Sequence, residues 1–587
     1  MTTALPHFDW SQRKGKQQKY AVVPCISDPT SGVKMENDDG SGPIVFGQRH
    51  EASSMELFFD LFFVANLALF TQYHIIIEHS GFLGYIEFFS ILWGTWFSVT
   101  LFDVRFASDS LYERACKLIQ CAVFVVLSLV GSHFEPGTVQ TYGQSETPSN
   151  DTFRILSYAL ATSRALLAIQ YIVVAVFCAR RGYRKVLVPV GLNALFYCIS
   201  AVAFGLMTLA FRRIPFLSNV YIVWYVILAL EIAGVLSVST VWRDLGFKLT
   251  HLVERMSLLT LIIIGEGILG VGKTISIILR THENAEYYGL IFVILLIIIF
   301  LWMIYFDNTP HGHFGTIRQQ IWAFLHFPLH LSILGIVEGA QQLVRGRYWI
   351  HEVIDIATMV HEYCLSGLDG TELSNALASS ITSYKFEDKS IAGSDLPDLM
   401  RTLVTISNTP GLCNSTSIRD LPTSWTFDEL YAAINGTALF DLVANFGSAL
   451  YGSTIVDNNW PTQRTLDSVN RDEWSVPYSY FWGSLAIFAF VSHILISLRR
   501  KTRADIFLFV QTLSRILVLA VAIALGVVGS FNDTFYYNFT DSPSVVTIAM
   551  GCLAFVFISD YIGRVASNWQ VGKRNERLDI DDEGEKR

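Results

Sequence analysis

Charged residues are scarce in this chain. Only 16% of its 587 residues are Asp, Glu, Lys or Arg, whereas 52% are hydrophobic. Apolar runs of about 20 residues exclude a string of soluble domains and predict an α-helical membrane protein, with the lipid bilayer as its main partner. The net charge of −9 is divided among separate loops, so it does not support nucleic-acid binding.

Cysteine is also scarce, and no cleavable signal peptide is visible. The eight cysteines are too few and too scattered for a disulfide framework. Cys364 and Cys413 are the one candidate disulfide, because they share a long polar loop. The first 50 residues are polar and carry a basic cluster, so we expect the first helix to serve as the insertion signal.

Twelve apolar runs predict an all-α polytopic membrane protein of about twelve transmembrane helices with one large extramembrane loop. The runs cover residues 55–73, 82–102, 116–133, 155–178, 186–210, 218–241, 256–279, 287–306, 321–343, 478–498, 507–530 and 542–563. They divide the chain into a disordered cytosolic tail (1–50), a membrane domain of nine helices (51–343), a lumenal or extracellular loop domain (344–477), the last three helices (478–565) and a charged cytosolic tail (566–587).

Basic residues and glycosylation motifs predict the orientation. Clusters of Lys and Arg in alternate short loops place both termini in the cytosol. Asn-x-Ser/Thr motifs fall in loops that this rule places outside, which predicts a glycoprotein of the plasma membrane or of a secretory-pathway membrane. The acceptor residues are Asn150, Asn414, Asn435, Asn532 and Asn538.

Acidic residues inside the apolar runs are the first functional candidates. Glu266 lies near the middle of the run 254–270, and Glu56 and Asp60 lie four residues apart on one face of the first helix. A carboxylate at that depth costs about 2.5 to 3.5 kcal/mol on insertion scales. We therefore expect these acids to face the protein interior and to have partners.

Three basic residues are candidate partners for Glu56 and Asp60, since two acids this close would otherwise repel each other or share a proton. Glu231 is a further buried acid, and it has no local partner in the sequence. A static ion network, proton or ion handling, and acid–base catalysis all remain open. The candidate cations are Arg105, Arg164 and Arg255.

A polar stripe is predicted along the seventh helix. His251, Glu254 and Arg255 fall at i, i+3 and i+4, hence on one face at its cytosolic entry. Glu266 is eleven residues beyond Arg255, about three turns, so it projects from the same side at a greater depth. Such a stripe suits a proton path, and it suits a row of interhelical hydrogen bonds equally well.

Metal binding has only a weak signal. His326 and His330 are four residues apart and could share a metal with Asp307, although such histidines are also common as interhelical hydrogen-bonding groups. No cofactor is predicted.

Near the C-terminus, Asp560 and Arg564 can pair with each other at i, i+4.

Five sequence blocks follow one another in the order and spacing of a known family. They are ELFFDLFFVANLALF (56–70), RFASDSLYER (105–114), HLVERMSLLTLIIIGEGILG (251–270), LWMIYFDNTP (301–310) and HFPLHLSILGIVEGA (326–340). Together they resemble the bacterial low temperature requirement A (LtrA) family. The long N-terminal tail, Ile264 where Leu is usual, and the 344–477 loop depart from its pattern. With the glycosylation motifs they indicate a eukaryotic member, with fungi as the expected source.

The resemblance implies a class of membrane protein and no settled activity, so the function rests on the buried acids. One hypothesis is a proton- or ion-coupled transporter of a small or lipophilic solute, with a protonatable centre. A second is a membrane-embedded enzyme acting on an isoprenoid or polyketide. A third is a stress or low-temperature adaptation protein without turnover. The proposed centre comprises Glu56, Asp60, Glu231, Glu254 and Glu266, with His251 beside it.

Overall fold

The structure is a computed structural model of the whole chain, and its fold is almost entirely helical. It describes residues 23–30, 34–35, 44–45, 52–73, 79–131, 134, 148–213, 220–247, 250–278, 285–310, 315–384, 396–415, 417–421, 426–451, 466–499 and 506–585. The one sheet in the described residues is a pair of antiparallel two-residue strands, β1 (Lys34–Met35) and β2 (Ile44–Val45).

The helices of the described residues follow in two groups. The first contains α1 (Ser54–Tyr73), α2 (His79–Phe106), α3 (Leu111–Gly131), α4 (Pro148–Arg181), α5 (Arg184–Arg213), α6 (Ile222–Val241), α7 (Leu252–Ile278), α8 (Ala285–Phe306), α9 (Thr316–Phe324) and α10 (His326–Leu365). The second contains α11 (Gly370–Thr382), α12 (Leu396–Asn408), α13 (Leu412–Ser415), α14 (Phe427–Ala433), α15 (Ala438–Tyr451), α16 (Leu466–Arg499), α17 (Ile506–Phe531), α18 (Asp533–Thr540) and α19 (Ser544–Glu585).

The predicted all-α polytopic membrane fold is confirmed. Eleven stretches of the described chain are helical, long and apolar enough to cross a membrane, and one of them joins α9 to α10. They account for all but the first of the predicted runs. That first run, 55–73, coincides with α1, which is not among the eleven.

Small residues allow α10 and α16 to pack closely. A Cβ atom added to Gly339 of α10 would lie 2.8 Å from the Cβ of Phe481 on α16. One added to Gly335 or Gly346 would overlap Ser484 or Trp474 in the same way. Glycines four residues apart let two backbones approach, which is how membrane helices gain contact where lipid supplies no hydrophobic drive.

We expect Gly339→Leu to destabilise the protein by about 1 to 3 kcal/mol, because the added side chain cannot fit against Phe481. Thermal unfolding of the purified protein in detergent would measure the loss. Gly483→Leu on α16 is the matched control, since a Cβ there meets no atom within 4 Å. Equal melting temperatures for the two variants would show that the α10–α16 contact does not limit stability.

Helix α10 extends past residue 343, the predicted start of the loop domain, and ends at Leu365. At 1.5 Å per residue its 40 residues span about 60 Å, twice the hydrocarbon thickness of a bilayer. Part of α10 therefore extends beyond a single membrane span, and the shorter helices α11 to α15 follow it. Cys364 at its end is bonded to Cys413, with an S–S distance of 1.96 Å.

Four of the glycosylation motifs have exposed acceptor side chains, at Asn414, Asn435, Asn532 and Asn538. The side chain of Asn150 lies outside the described residues. Exposure is what the modification requires, and glycosylation itself stays a prediction.

Both predicted tails contain structure. Within the tail predicted to be disordered over 1–50, residues 23–30 lie against the bundle, and Asp28 forms an ion pair of 2.7 Å with Arg181 at the end of α4. Burial opposes the ionisation of Asp28, but hydrogen bonds from Thr30 and Arg181 hold the pKa of its carboxyl below its usual range. At the other end, α19 continues as a helix to Glu585, since no proline interrupts its charged segment.

Candidate functional site

Ionisable side chains from four helices meet near the N-terminal ends of α1, α3 and α7 and the C-terminal end of α2. None is more than 8% exposed, and the charges of neighbouring members act on one another. Burial of this many charges is costly unless they are paired, so the arrangement constrains how the four helices pack. We call this set the central ion cluster; it comprises Glu56, Asp60, Asp103, Lys117, His251 and Arg255.

The centre of the cluster is a two-pronged ion pair between α1 and α7. Arg255 donates from Nη1 and Nη2 to the two carboxylate oxygens of Asp60, at 2.6 and 2.7 Å. Trp96 of α2 donates from Nε1 to the same carboxylate at 2.8 Å. This fork geometry satisfies both carboxylate oxygens, as a charge in the interior requires.

Glu56 has two roles. With Ser53 it forms a capping box at the start of α1: its backbone N–H donates to Ser53 Oγ at 3.3 Å, and its Oε2 accepts from the backbone N–H of Ser53 at 3.1 Å. The same Oε2 lies 3.1 Å from Nε2 of His251. Among the described residues, Nδ1 of His251 has no hydrogen-bond partner. Glu56 therefore couples the helix start to the cluster.

Two members of the cluster were missed in the sequence. Asp103 of α2 pairs with Lys117 of α3, and Lys117 also lies over the ring of Phe59. Both are charges inside apolar segments, LFDVRF and ACKLIQ, so the signal that identified Asp60 was present for them too.

The other two candidate cations do not reach Glu56 or Asp60. Arg164 of α4 pairs with Glu231 of α6 at 3.2 Å, and Ser98 donates to the other oxygen of Glu231 at 2.8 Å. Arg105 donates to Ser239 at 2.6 Å and lies over the ring of Phe247. Glu231 has no local partner in the sequence, and its partner comes from another helix, because α4 and α6 bring the two charges together from distant parts of the sequence.

The predicted stripe on α7 is divided. His251 and Arg255 enter the central ion cluster, whereas Glu254 is half-buried and accepts from the backbone N–H of Ala52 at 3.3 Å. Glu266 is buried about 16 Å further along the helix. Its Oε2 has no hydrogen-bond partner among the described residues. Glu266 is thus a buried acid set apart from the cluster.

Hydrogen-bonded side chains lie between the central ion cluster and Glu266. Trp93 donates to Nδ1 of His330 at 3.1 Å, so Nε2 of His330 carries the proton and donates to Thr260 of α7 at 2.8 Å. Nδ1 of His326 donates to a backbone carbonyl at 2.8 Å, and its Nε2 accepts from Tyr305 at 2.9 Å. All four ring nitrogens are engaged with protein, which argues against a metal shared by the two histidines.

Asp307, the third candidate metal ligand, lies elsewhere. It pairs with Arg564 at 3.1 Å, and Asp560 forms a two-pronged pair with Arg515 of α17 at 2.7 and 2.8 Å. The expected pairing of Asp560 with Arg564 is wrong, because Arg515 on α17 and Asp307, the residue after α8, provide the two partners instead. The described residues contain no group of three or more potential metal ligands.

Beyond Glu266 the polar groups continue towards the far end of α7. Gln341 of α10 donates to the backbone carbonyl of Gly267 at 3.5 Å and accepts from Thr274 at 3.3 Å. Arg345 in turn donates to Thr274 at 3.0 Å. From Leu252 to Thr274, α7 is about 33 Å long, roughly the thickness of the hydrocarbon core.

A cavity of about 670 Å³ adjoins the central ion cluster. It lies between the first residues of α1, the last residues of α2 and the first turns of α3. Glu56, Asp103 and Lys117 contribute both to the cluster and to the cavity wall. Three of the buried charges therefore border a cavity at one end of the bundle.

Comparison with known proteins supports the resemblance seen in the sequence. The family described as bacterial low temperature requirement A protein (LtrA) has a model that matches residues 51–367, more than half of the chain. The match spans α1 to the end of α10 and so includes every member of the central ion cluster. Searches of curated proteins and of solved structures found no match.

Proposed function

Because this chain belongs to the low temperature requirement A (LtrA) family and is a multi-pass membrane protein, we propose that it couples proton movement to the transport of a small or lipophilic solute. The central ion cluster is the site where solute and proton meet, and α7 carries the proton path. Ionisable residues inside membrane helices are costly and typically mark such pathways.

The observation that carries this proposal is the row of polar groups along α7. It leads from Arg255 in the central ion cluster through the Thr260–His330 contact to Glu266, and then to Thr274. If the buried charges served only to hold the helices together, paired charges would be sufficient. The acid Glu266, whose Oε2 lacks a partner among the described residues, adds nothing to such packing and suits a group that binds and releases a proton.

The orientation and location form part of the proposal. Basic residues in alternate loops favour a cytosolic position for both termini and for the cavity, with the loop domain on the lumenal or extracellular side. The disulfide between Cys364 and Cys413 fits an oxidising compartment. Glycosylation of that side, in a eukaryotic plasma membrane or secretory-pathway membrane, follows from the same assignment.

Proteoliposomes loaded with a pH-sensitive dye test the function. Under an imposed pH gradient, liposomes with the protein should change internal pH faster than protein-free liposomes, and candidate solutes should alter the rate. A rate equal to that of protein-free liposomes, with and without solutes, would contradict coupled proton transport.

The enzyme hypothesis draws its support from the cavity, where the carboxylates Glu56 and Asp103 face a space large enough for a lipid-soluble substrate. An enzyme needs access from one side only, whereas a transporter needs it from both. A deletion strain that accumulates an unconverted lipophilic intermediate, together with a null result in liposomes, would favour this alternative.

A further inference from the structure

The turn between α4 and α5 carries four basic residues and no acidic residue. All four are exposed, and they comprise Arg180, Arg181, Arg184 and Lys185. We call this segment, residues 180–185, the basic turn. It joins two stretches that are long and apolar enough to cross a membrane, Asp151–Arg181 and Arg184–Phe211, so its side chains lie at the level of the lipid headgroups. Basic clusters next to a membrane helix are typical of sites for anionic lipids.

The backbone of the basic turn is fixed by hydrogen bonds. The N–H of Gly182 donates to the carbonyl of Ala179 at 3.2 Å, and that of Tyr183 donates to the carbonyl of Cys178 at 2.9 Å, which is the pattern of a Schellman motif. Gly182 has a φ of 81°, in the left-handed region that favours glycine. The four bases are therefore held on one ordered segment, which lowers the entropic cost of binding a ligand.

Three of the four cations have no acidic partner in the described part of the chain, and the fourth, Arg181, is paired. At the same end of the bundle, Arg114 and Lys117 of α3 are both paired with acids. Arg243 and Asp244, in the segment that packs against α5, add one charge of each sign. The basic turn therefore keeps an excess of positive charge, which attracts anions.

The contact of Arg181 shows what kind of group the basic turn accepts. Its Nε and Nη2 donate to Oδ2 of Asp28, at 3.1 and 2.7 Å. The guanidinium fork that holds this carboxylate oxygen also suits phosphate oxygens. Asp28 belongs to the N-terminal segment 23–30, and its Oδ1 accepts from the backbone N–H of Thr30 at 2.8 Å. An anionic ligand at the basic turn would therefore compete with Asp28 for Arg181.

Apolar side chains continue from the basic turn along the outside of the bundle. Val176 on α4 and Val188 on α5 lie one turn from Arg180 and Arg184, and both are exposed. Ile172 is exposed one turn further along α4. A free phosphate compound would gain nothing from these side chains, whereas the acyl chains of a phospholipid can pack against them while its headgroup contacts the bases. The surface therefore favours a lipid over a soluble anion.

We propose that the basic turn binds an anionic phospholipid with a multiply phosphorylated headgroup, and that this lipid competes with Asp28 for Arg181. Several cations on one short segment match a headgroup with several negative charges better than a single phosphodiester. In the proposed orientation the turn faces the cytosolic leaflet, which carries the anionic lipids. The inference goes beyond the proposed function and does not depend on transport, because it concerns a different surface.

The test measures lipid binding to the full-length protein in a neutral detergent. A fluorescent dioctanoyl phosphatidylinositol bisphosphate is titrated with protein, and its anisotropy reports binding. Dioctanoyl phosphatidylcholine and inositol trisphosphate, the free headgroup, then compete with it. We expect saturable binding that the neutral lipid does not displace. The free headgroup should displace it about tenfold less effectively than the unlabelled phosphoinositide, because it lacks the acyl chains.

Two sets of variants locate the site. Arg184→Gln combined with Lys185→Gln should weaken binding about ten- to thirtyfold, since two charge contacts are lost. Arg154→Gln combined with Arg401→Gln is the matched control, because it removes two cations from exposed ion pairs away from the basic turn. It should bind as the wild type does. Asp28→Asn should strengthen binding about two- to fivefold by releasing Arg181, a gain that misfolding cannot produce.

The outcomes separate the parts of the proposal. Equal displacement by phosphatidylcholine, or wild-type affinity in the Arg184 and Lys185 double variant, would overturn the lipid site. Displacement by inositol trisphosphate as effective as that by the lipid would overturn the choice of a lipid and assign a soluble phosphate ligand. Unchanged or weaker binding by Asp28→Asn would refute the competition. None of these measurements involves proton flux, so each can fail while the proposed function stands.

Discussion

Asp60→Leu should lower the free energy of unfolding by about 3 to 5 kcal/mol, one of the two largest effects we expect in this protein. The guanidinium of Arg255 is fully buried, and both of its Nη atoms donate to Asp60. Removing the carboxylate leaves a buried charge without its partner, which costs far more than the pair itself contributes. Thermal and denaturant unfolding in detergent would measure the change.

Two further variants make this result interpretable. Asp151→Leu removes the acid of an exposed pair with Arg154 and should cost at most about 1 kcal/mol. Asp60→Leu combined with Arg255→Leu should recover most of the lost stability, because neither member of the pair is left as an unpaired buried charge. If that stable double variant also loses proton flux, the pair serves transport. Full flux in the double variant would identify the pair as a packing device and nothing more.

Glu266→Gln should reduce proton flux about a hundredfold while changing stability by less than about 1 kcal/mol. Glutamine keeps the shape of the side chain but cannot take up and release a proton, and loss of a positioned proton-transfer group typically costs this much or more. Stability should hold, because Oε2 of Glu266 has no hydrogen-bond partner among the described residues. Flux in dye-loaded liposomes and melting in detergent measure the two quantities.

Glu338→Gln is the control for this substitution. Glu338 is a half-buried acid on α10 that accepts from Gln342 at 2.8 Å; it is not on α7, but it is close enough for its charge to act on Glu266. We expect it to retain most of the flux. Wild-type flux in Glu266→Gln would remove Glu266 from the path, and equal losses in both variants would indicate a general effect of charge near the centre of the bundle.

The sequence by itself determined the membrane class and the positions of eleven of the twelve predicted spans. Hydrophobic length and helical periodicity are local properties, so a run such as 287–306 could be assigned to α8 without knowledge of its neighbours. Local spacing also placed Glu56 and Asp60 on one face of α1. It also selected Cys364 and Cys413, because the two share one polar loop.

Only the tertiary structure decided which charges meet. Three arginines were equal candidates for Asp60, and the packing of α1 against α7 selected Arg255. The packing of α4 near α6 instead pairs Arg164 with Glu231. Asp560 likewise pairs with Arg515, 45 residues away, rather than with Arg564 one turn along its own helix. In a bundle, a buried side chain reaches across to the helix it faces. Its partner therefore depends on which helices are neighbours in the bundle, and no local sequence pattern encodes that arrangement.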